Sequence, residues 1–317
     1  MLRTDRSPLS IDVAAELRDA LARRQKELPP RWLAAVDAAT LRAGATLPTH
    51  AHEHAERTLG LTMIGAHLAD ARPRGVVCIA PSASGASLAL AEALGQRGSV
   101  TAIATAEIDP RLAVEMGERI ASRGICESPS AITCDCMLEL PLPDTFPRPR
   151  VYLCLGNVLG STTTVGAVRM LRILRTTMSP GDTIVLGVDA WRDPDALSSA
   201  SPAELDAAAA RHLGALGLVN ATVGATFDLS RFEYRPTYDA DTNRLETHLV
   251  ARRACEVRVP GVSDVRFRKG DSIRTSVSCT FERHRLSAMM AGVGLMLREW
   301  TTDAESRFAV ALATTAV

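Results

Sequence analysis

The stretch VVCIAPSASGASLALAEALG, residues 76–95, decides the fold. Its first five residues are apolar without alternation, as in a strand covered on both faces. A turn of small residues follows, and residues 86–95 then have the composition of a helix. The same unit recurs downstream. TAIATAEI (101–108), SAITCD (130–135), RVYLCLGNVLG (150–160) and DTIVLGVDA (182–190) read as further buried strands, with helices after Pro110 and over VGAVRMLRILRTTM. Continuous apolar strands spaced by helices predict a parallel, doubly wound α/β core that binds ligands beyond the carboxyl ends of its strands.

Outside this core the pattern changes. Residues 10–27 have helical periodicity with Ser10 as the expected cap, and Leu28-Pro29-Pro30 breaks that helix. Residues 31–60 read as short helical pieces split by Gly44 and Pro48. After Trp191 comes the helical AELDAAAARHLGALGLV, then the alternating RFEYRPTYD, RLETHLVARRACEVRV and VRFRKGDSIRTSVSCTF. Alternation with period two predicts antiparallel strands with one wet face. RLSAMMAGVGLMLREW and RFAVALATT read as a closing helix and strand. The expected division is a core of 61–195 plus 286–317 and an α+β cap of 1–60 plus 196–285.

Composition narrows the function. The 317 residues carry 36 basic and 36 acidic side chains, which argues against a sequence-independent nucleic-acid binder. No run reaches the roughly 18 apolar residues of a membrane span, and the start MLRTDRSPLSIDVAAEL lacks a signal core, so a cytoplasmic protein with no membrane partner is expected. The seven cysteines lack CxxC spacing and read as reduced thiols. Cys134-Asp135-Cys136 has no second pair, and three histidines at i, i+2 and i+4 do not converge on a helix; no metal is expected.

Several segments together resemble the histidine-specific, S-adenosylmethionine-dependent methyltransferase family: LPPRW (28–32), LPT (47–49), LCLGNVLG (153–160), LGVDAWRDP (186–194), ATFDLSRFEY (225–234), LETHL (245–249) and KGDSIRTSVSCTF (269–281). The resemblance implies a Rossmann-like methyltransferase core with a substrate-binding cap. It also implies a cofactor site on the turn after the first core strand, with Ser84 and Gly85 there, Glu107 toward the ribose and Asp135 toward the adenine. The family's turn carries an acid and two glycines, where this chain has Cys78, Ala80 and Ser82, and Pro81 removes a donor.

The resemblance places substrate contacts on an Asn after the fourth core strand and on a Glu and a Ser of the last insert. Here these positions read Ser161, with Asn157 one turn earlier, and Ser276 and Ser278. The family's N-terminal tyrosines fall on Ala34 or Ala35 and on Thr46-Leu47. Losing the Glu removes a charge-assisted bond of about 1.5–3 kcal/mol to an imidazole, so histidine is not the expected substrate. Tyr234, Arg235, Tyr238, Thr247 and Arg274 on the insert strands are the other candidate contacts.

In place of the family's Pro-Thr-Arg stands Thr49-His50-Ala51-His52-Glu53-His54. On a helix His50 and His54 share a face, flanked by Glu53, which suits a general base; three surface histidines are the plain alternative. The expected chemistry is cofactor-free displacement on an amino-acid-derived amine, free or carrier-bound. Its pattern is that of the methyltransferase-like, aziridine-forming enzymes of azinomycin-type biosynthesis, which close the ring with loss of sulfate. Arg235 or Arg274, with Ser276 and Ser278, would then stabilise the departing sulfate. The first alternative is S-adenosylmethionine-dependent N-methylation of an amino-acid-like substrate other than histidine; the second is a non-catalytic subunit serving a protein partner of the same pathway.

Overall fold

The computed structural model describes residues 2–6, 12–42, 53–68, 72–191, 201–260 and 264–316. The chain divides into two compact units: residues 1–8, 47–192 and 279–317, and residues 9–46 and 193–278.

The first unit is built on β3 (Gly75–Ile79), every residue of which is buried. It pairs in parallel with β4 (Ala102–Glu107) on one side and β6 (Arg150–Cys154) on the other. The chain therefore reverses its direction of winding at β3, and the crevice at that switch point opens at the strands' carboxyl ends. With β1 (Arg3–Arg6), β5 (Ser128–Thr133), β7 (Thr183–Asp189), β13 (Leu295–Thr302) and β14 (Phe308–Thr315), the sheet order is β1-β5-β4-β3-β6-β7-β14-β13. All neighbours are parallel except β14, antiparallel to β7, and β13, antiparallel to β14.

The flanking helices are α3 (Glu53–His67), α4 (Gly85–Gly95), α5 (Pro110–Arg123), α6 (Thr164–Thr177) and α8 (Arg283–Ala291). Local chemistry sets their ends. Asp109 caps α5 ahead of Pro110, and Gly124 closes it at φ +62°. Ile64, Leu90, Leu94, Ile103, Leu153, Val185 and Phe308 are among the buried side chains that join helices to sheet.

The second unit packs α1 (Val13–Ala22), α2 (Pro30–Arg42) and α7 (Pro202–Val223) with a four-stranded sheet. That sheet runs β2 (Lys26–Glu27), β12 (Ser272–Cys279), β9 (Arg244–Ala251), β8 (Phe232–Asp239). A short antiparallel pair, β10 (Cys255–Val257) and β11 (Val265–Phe267), sits beside it. Its core gathers Leu17, Leu21, Trp32, Leu216, Phe227, Phe232 and Phe267, the last three in edge-to-face contact.

Several expectations need correction. The first helix ends at Ala22, where Arg23 turns extended, and Asp12 caps it through Ala14 and Ala15. Ser10, Gly44 and Pro48 lie outside the described residues. The segment read as one closing helix stops at Ala291; Gly294 at φ +77° redirects the chain, and Leu295–Thr302 becomes a strand. The expected unit boundaries also shift. α3 packs on α4 and β14 and so belongs with the core, and residues 279–285 join it too. Among the described residues no helix is long and apolar enough to cross a membrane.

Candidate active site

The turn after β3 keeps a glycine-like path without the glycine. Ala80 lies at φ +45°, ψ 53°, a left-handed conformation that an L side chain enters at a cost. Pro81–Ala83 then form one 3-10 turn, and Ser84 caps α4 by accepting from the Ala86 N–H.

The turn is held from β4. The Ser82 N–H donates to Glu107 Oε1 over 2.8 Å, and Glu107 is 2% exposed. Burial pushes the Glu107 carboxyl up to about 7, against the lowering pull of its bonds to Ser82. Ala83 meanwhile covers the start of the loop after β6. Gly156 has φ +74°, and a Cβ placed on it would lie 2.7 Å from the Ala83 carbonyl oxygen.

Two acids of α3 close the same end of the sheet. Glu56, 1% exposed, accepts from the Gly156 N–H at 2.6 Å and bonds Ser84. Burial raises its carboxyl to about 7, with Asp189 and Glu53 adding to the shift. The Glu53 carboxylate lies against Gly85 and would have to swing aside for a Cβ there. His54 is exposed, its backbone carbonyl accepting from the Thr58 hydroxyl, and His50 lies outside the described residues.

Sequence reasoning singled out Glu53 but missed Glu56. The signal was present: Glu56, Gly60, Met63 and Ile64 recur with helical spacing on the buried face of α3.

Beside this end, Asn157 ties three segments together. Its Nδ2 donates to Asp189 Oδ2 at 3.0 Å and to the Cys279 carbonyl at 3.3 Å, while its Oδ1 accepts from the Asp189 N–H at 3.2 Å. Ser161 is exposed and donates its hydroxyl to the Val158 carbonyl. Asp135 caps its own turn by accepting from the Met137 N–H at 2.9 Å.

In the second unit the expected substrate cluster separates. Tyr234 and Arg235 are neighbours on a strand and so point to opposite faces. Tyr234 lies against His212 of α7, with ring centres 5.3 Å apart, and bonds Thr247, which is buried on that face. Tyr238 donates to Asn243 in the following turn. Arg235 pairs with Glu233, and Arg274 is held between Glu27 and Glu246. Neither arginine carries the unpaired charge that a sulfate-stabilising role requires. Ser276 and Ser278 are half-buried on β12.

A doubly wound fold seats a nucleoside cofactor in the switch-point crevice. Glu107, ending β4, and Asp135, just after β5, are the residues there that would hold the nucleoside of S-adenosylmethionine. Around them Glu107 Oε1 accepts from the Ser82 N–H, the Glu53 carboxylate lies beside Gly85, and the Ala83 carbonyl lies beside Gly156.

Comparison with known proteins points to one family. The model described as "Histidine-specific methyltransferase, SAM-dependent" matches residues 129–315, more than half of the chain. A histidine N-alpha-methyltransferase of Mycolicibacterium smegmatis is 34% identical over 165 residues, 52% of this chain and about half of that relative's length (51%). The same-named protein of Mycobacterium tuberculosis is 27% identical over 301 residues, 92% of each chain. In fold alone, an S-adenosylmethionine-dependent methyltransferase from Clostridium acetobutylicum superposes with a TM-score of 0.51 at 7% identity, covering 90% of this chain and 99% of that one. With its methyltransferase-type core and a family match running from β5 into β14, the chain belongs to the histidine-specific, S-adenosylmethionine-dependent methyltransferase family.

Proposed function

We propose that the chain is a methyltransferase that takes its methyl group from S-adenosylmethionine and delivers it to the amino group of an amino-acid-like substrate other than histidine. Family membership carries this reading, together with Glu107 and Asp135 at the carboxyl ends of β4 and β5. The choice against histidine rests on Ser276, a hydroxyl too weak to replace a carboxylate as partner of an imidazole. His54, exposed on the first turn of α3 beside Glu53, is the proposed base for the acceptor's ammonium proton.

The outcome that would replace this reading is displacement without a methyl donor, on an amine that carries a vicinal sulfate ester. In that reaction the amine nitrogen forms a bond to a neighbouring carbon, the carbon–oxygen bond to sulfate breaks, and the base takes the ammonium proton.

Titration calorimetry with S-adenosylmethionine and S-adenosylhomocysteine separates the two. Micromolar binding, followed by methylation of an amino-acid-like amine, supports the first reading. No binding at millimolar concentration overturns it, and release of inorganic sulfate from an amine with a vicinal sulfate ester would establish the second.

A further inference from the structure

Cys134 and Cys136 flank Asp135 just beyond β5, and their sulfurs lie 3.7 Å apart. Cys134 is 2% exposed, and its N–H is fixed on the Glu107 carbonyl at 2.9 Å; Cys136 is half-buried and so is the more accessible thiol. Between them the chain turns tightly. Asp135 accepts from the Met137 N–H through its side chain, and from Leu138 and Glu139 through its carbonyl. That turn folds the two side chains back toward each other, where an extended Cys-X-Cys segment would hold them on one face but farther apart. A disulfide needs about 2 Å between sulfurs, within reach of a modest side-chain rotation.

We propose that Cys134 and Cys136 form a reversible intrachain disulfide, made by exchange with a low-molecular-weight disulfide such as oxidised glutathione. The Cys136 thiolate attacks the small disulfide, forming a mixed disulfide and releasing one thiol. The Cys134 thiolate then displaces the second thiol, so the protein loses two protons and two electrons while the small disulfide is reduced to two thiols. A bridge spanning a single intervening residue constrains the unfolded chain little, which suits a redox-responsive link rather than a structural staple. The hydrogen bond to Cys134, with burial, raises the Cys136 thiol well above its usual range, so exchange is slow and is followed over hours. The inference does not depend on the reaction proposed above.

The test is exposure of the native chain to oxidised glutathione, alkylation of free thiols, and peptide mapping before and after dithiothreitol. The expected result is a peptide lighter by two hydrogens, containing unalkylated Cys134 and Cys136, while the other five cysteines react after unfolding. Cys136→Ser should abolish it, with near-native circular dichroism. A stable glutathione adduct on Cys136, a bridge from Cys136 to the nearby Cys154, or alkylation of both thiols would each overturn the proposal.

Discussion

The backbone N–H of Ser82 is bonded to the buried carboxylate of Glu107, joining the turn after β3 to the end of β4. Glu107 and Glu56 are both raised from 4.5 to about 7. The folded chain therefore keeps two protons that the unfolded chain releases between pH 4.5 and about 7. Stability is greatest at the low end of that window and falls as pH rises through it, by up to about 3 kcal/mol per group. Thermal midpoints measured from pH 5 to 8 should decline, and Glu56→Gln and Glu107→Gln should each flatten the slope.

His212 should respond in the opposite sense. Burial holds its imidazole down from 6.5 to about 3, with Arg211 adding to the effect, and its Nδ1 lies 2.7 Å from the Thr275 hydroxyl. That hydroxyl donates to the Thr247 carbonyl, so Nδ1 must carry the hydrogen. Folding then excludes a proton that the unfolded chain binds between about pH 3 and 6.5, and stability falls as pH drops through that range. In His212→Gln, which can still donate to Thr275, acid denaturation monitored on β8 and β9 should begin at lower pH than in the wild type.

Ala80 offers a test of the turn itself. Its left-handed backbone costs about 1–2 kcal/mol for an L residue, partly offset because glycine loses more freedom on folding. Ala80→Gly should raise stability by about 0.5–1 kcal/mol in denaturant titrations. If the cofactor reading holds, it should also tighten S-adenosylmethionine binding, because a glycine lets the backbone approach more closely. Gly156→Ala should do the reverse, since its Cβ would meet the Ala83 carbonyl at 2.7 Å at a position with φ +74°.

How much of this was legible in the sequence follows from how each signal arises. β3, β4, β6 and β7 are buried on both faces, so their apolar runs announced them and their order. β1 reads RTDR, an edge strand specified by its pairing with β5 rather than by apolar residues. Leu295–Thr302 has helix-tolerant composition, and only its antiparallel register with β14 makes it a strand. The division of Tyr234 from Arg235 was readable, because period two forbids adjacent strand residues from sharing a face. The Ser82–Glu107 bond was not, since a backbone donor leaves no trace in residue identity.

His54 supplies a direct test of the base. It is exposed, and α3 is anchored by Met63 and Ile64 on its other side, so His54→Ala should leave the unfolding free energy within about 0.5 kcal/mol of wild type. Turnover should fall about 10²–10⁴-fold, the usual contribution of a general base. A wild-type rate would remove His54 from the mechanism.

Ser276 is the position where a single change should alter acceptor choice. It is half-buried on β12, on the same face as Arg274, whose charge is already satisfied by Glu27 and Glu246. A carboxylate introduced there would not be neutralised by Arg274 and would be free to bond an imidazole N–H. Ser276→Glu should therefore improve histidine as a substrate by about 1.5–3 kcal/mol in kcat/KM, roughly 10- to 100-fold, with weaker use of the native acceptor. Competition between histidine and other amino-acid-like amines, with methylated products counted by mass spectrometry, gives the ratio directly. An unchanged ratio in a correctly folded variant would show that the imidazole, if it enters at all, is recognised elsewhere.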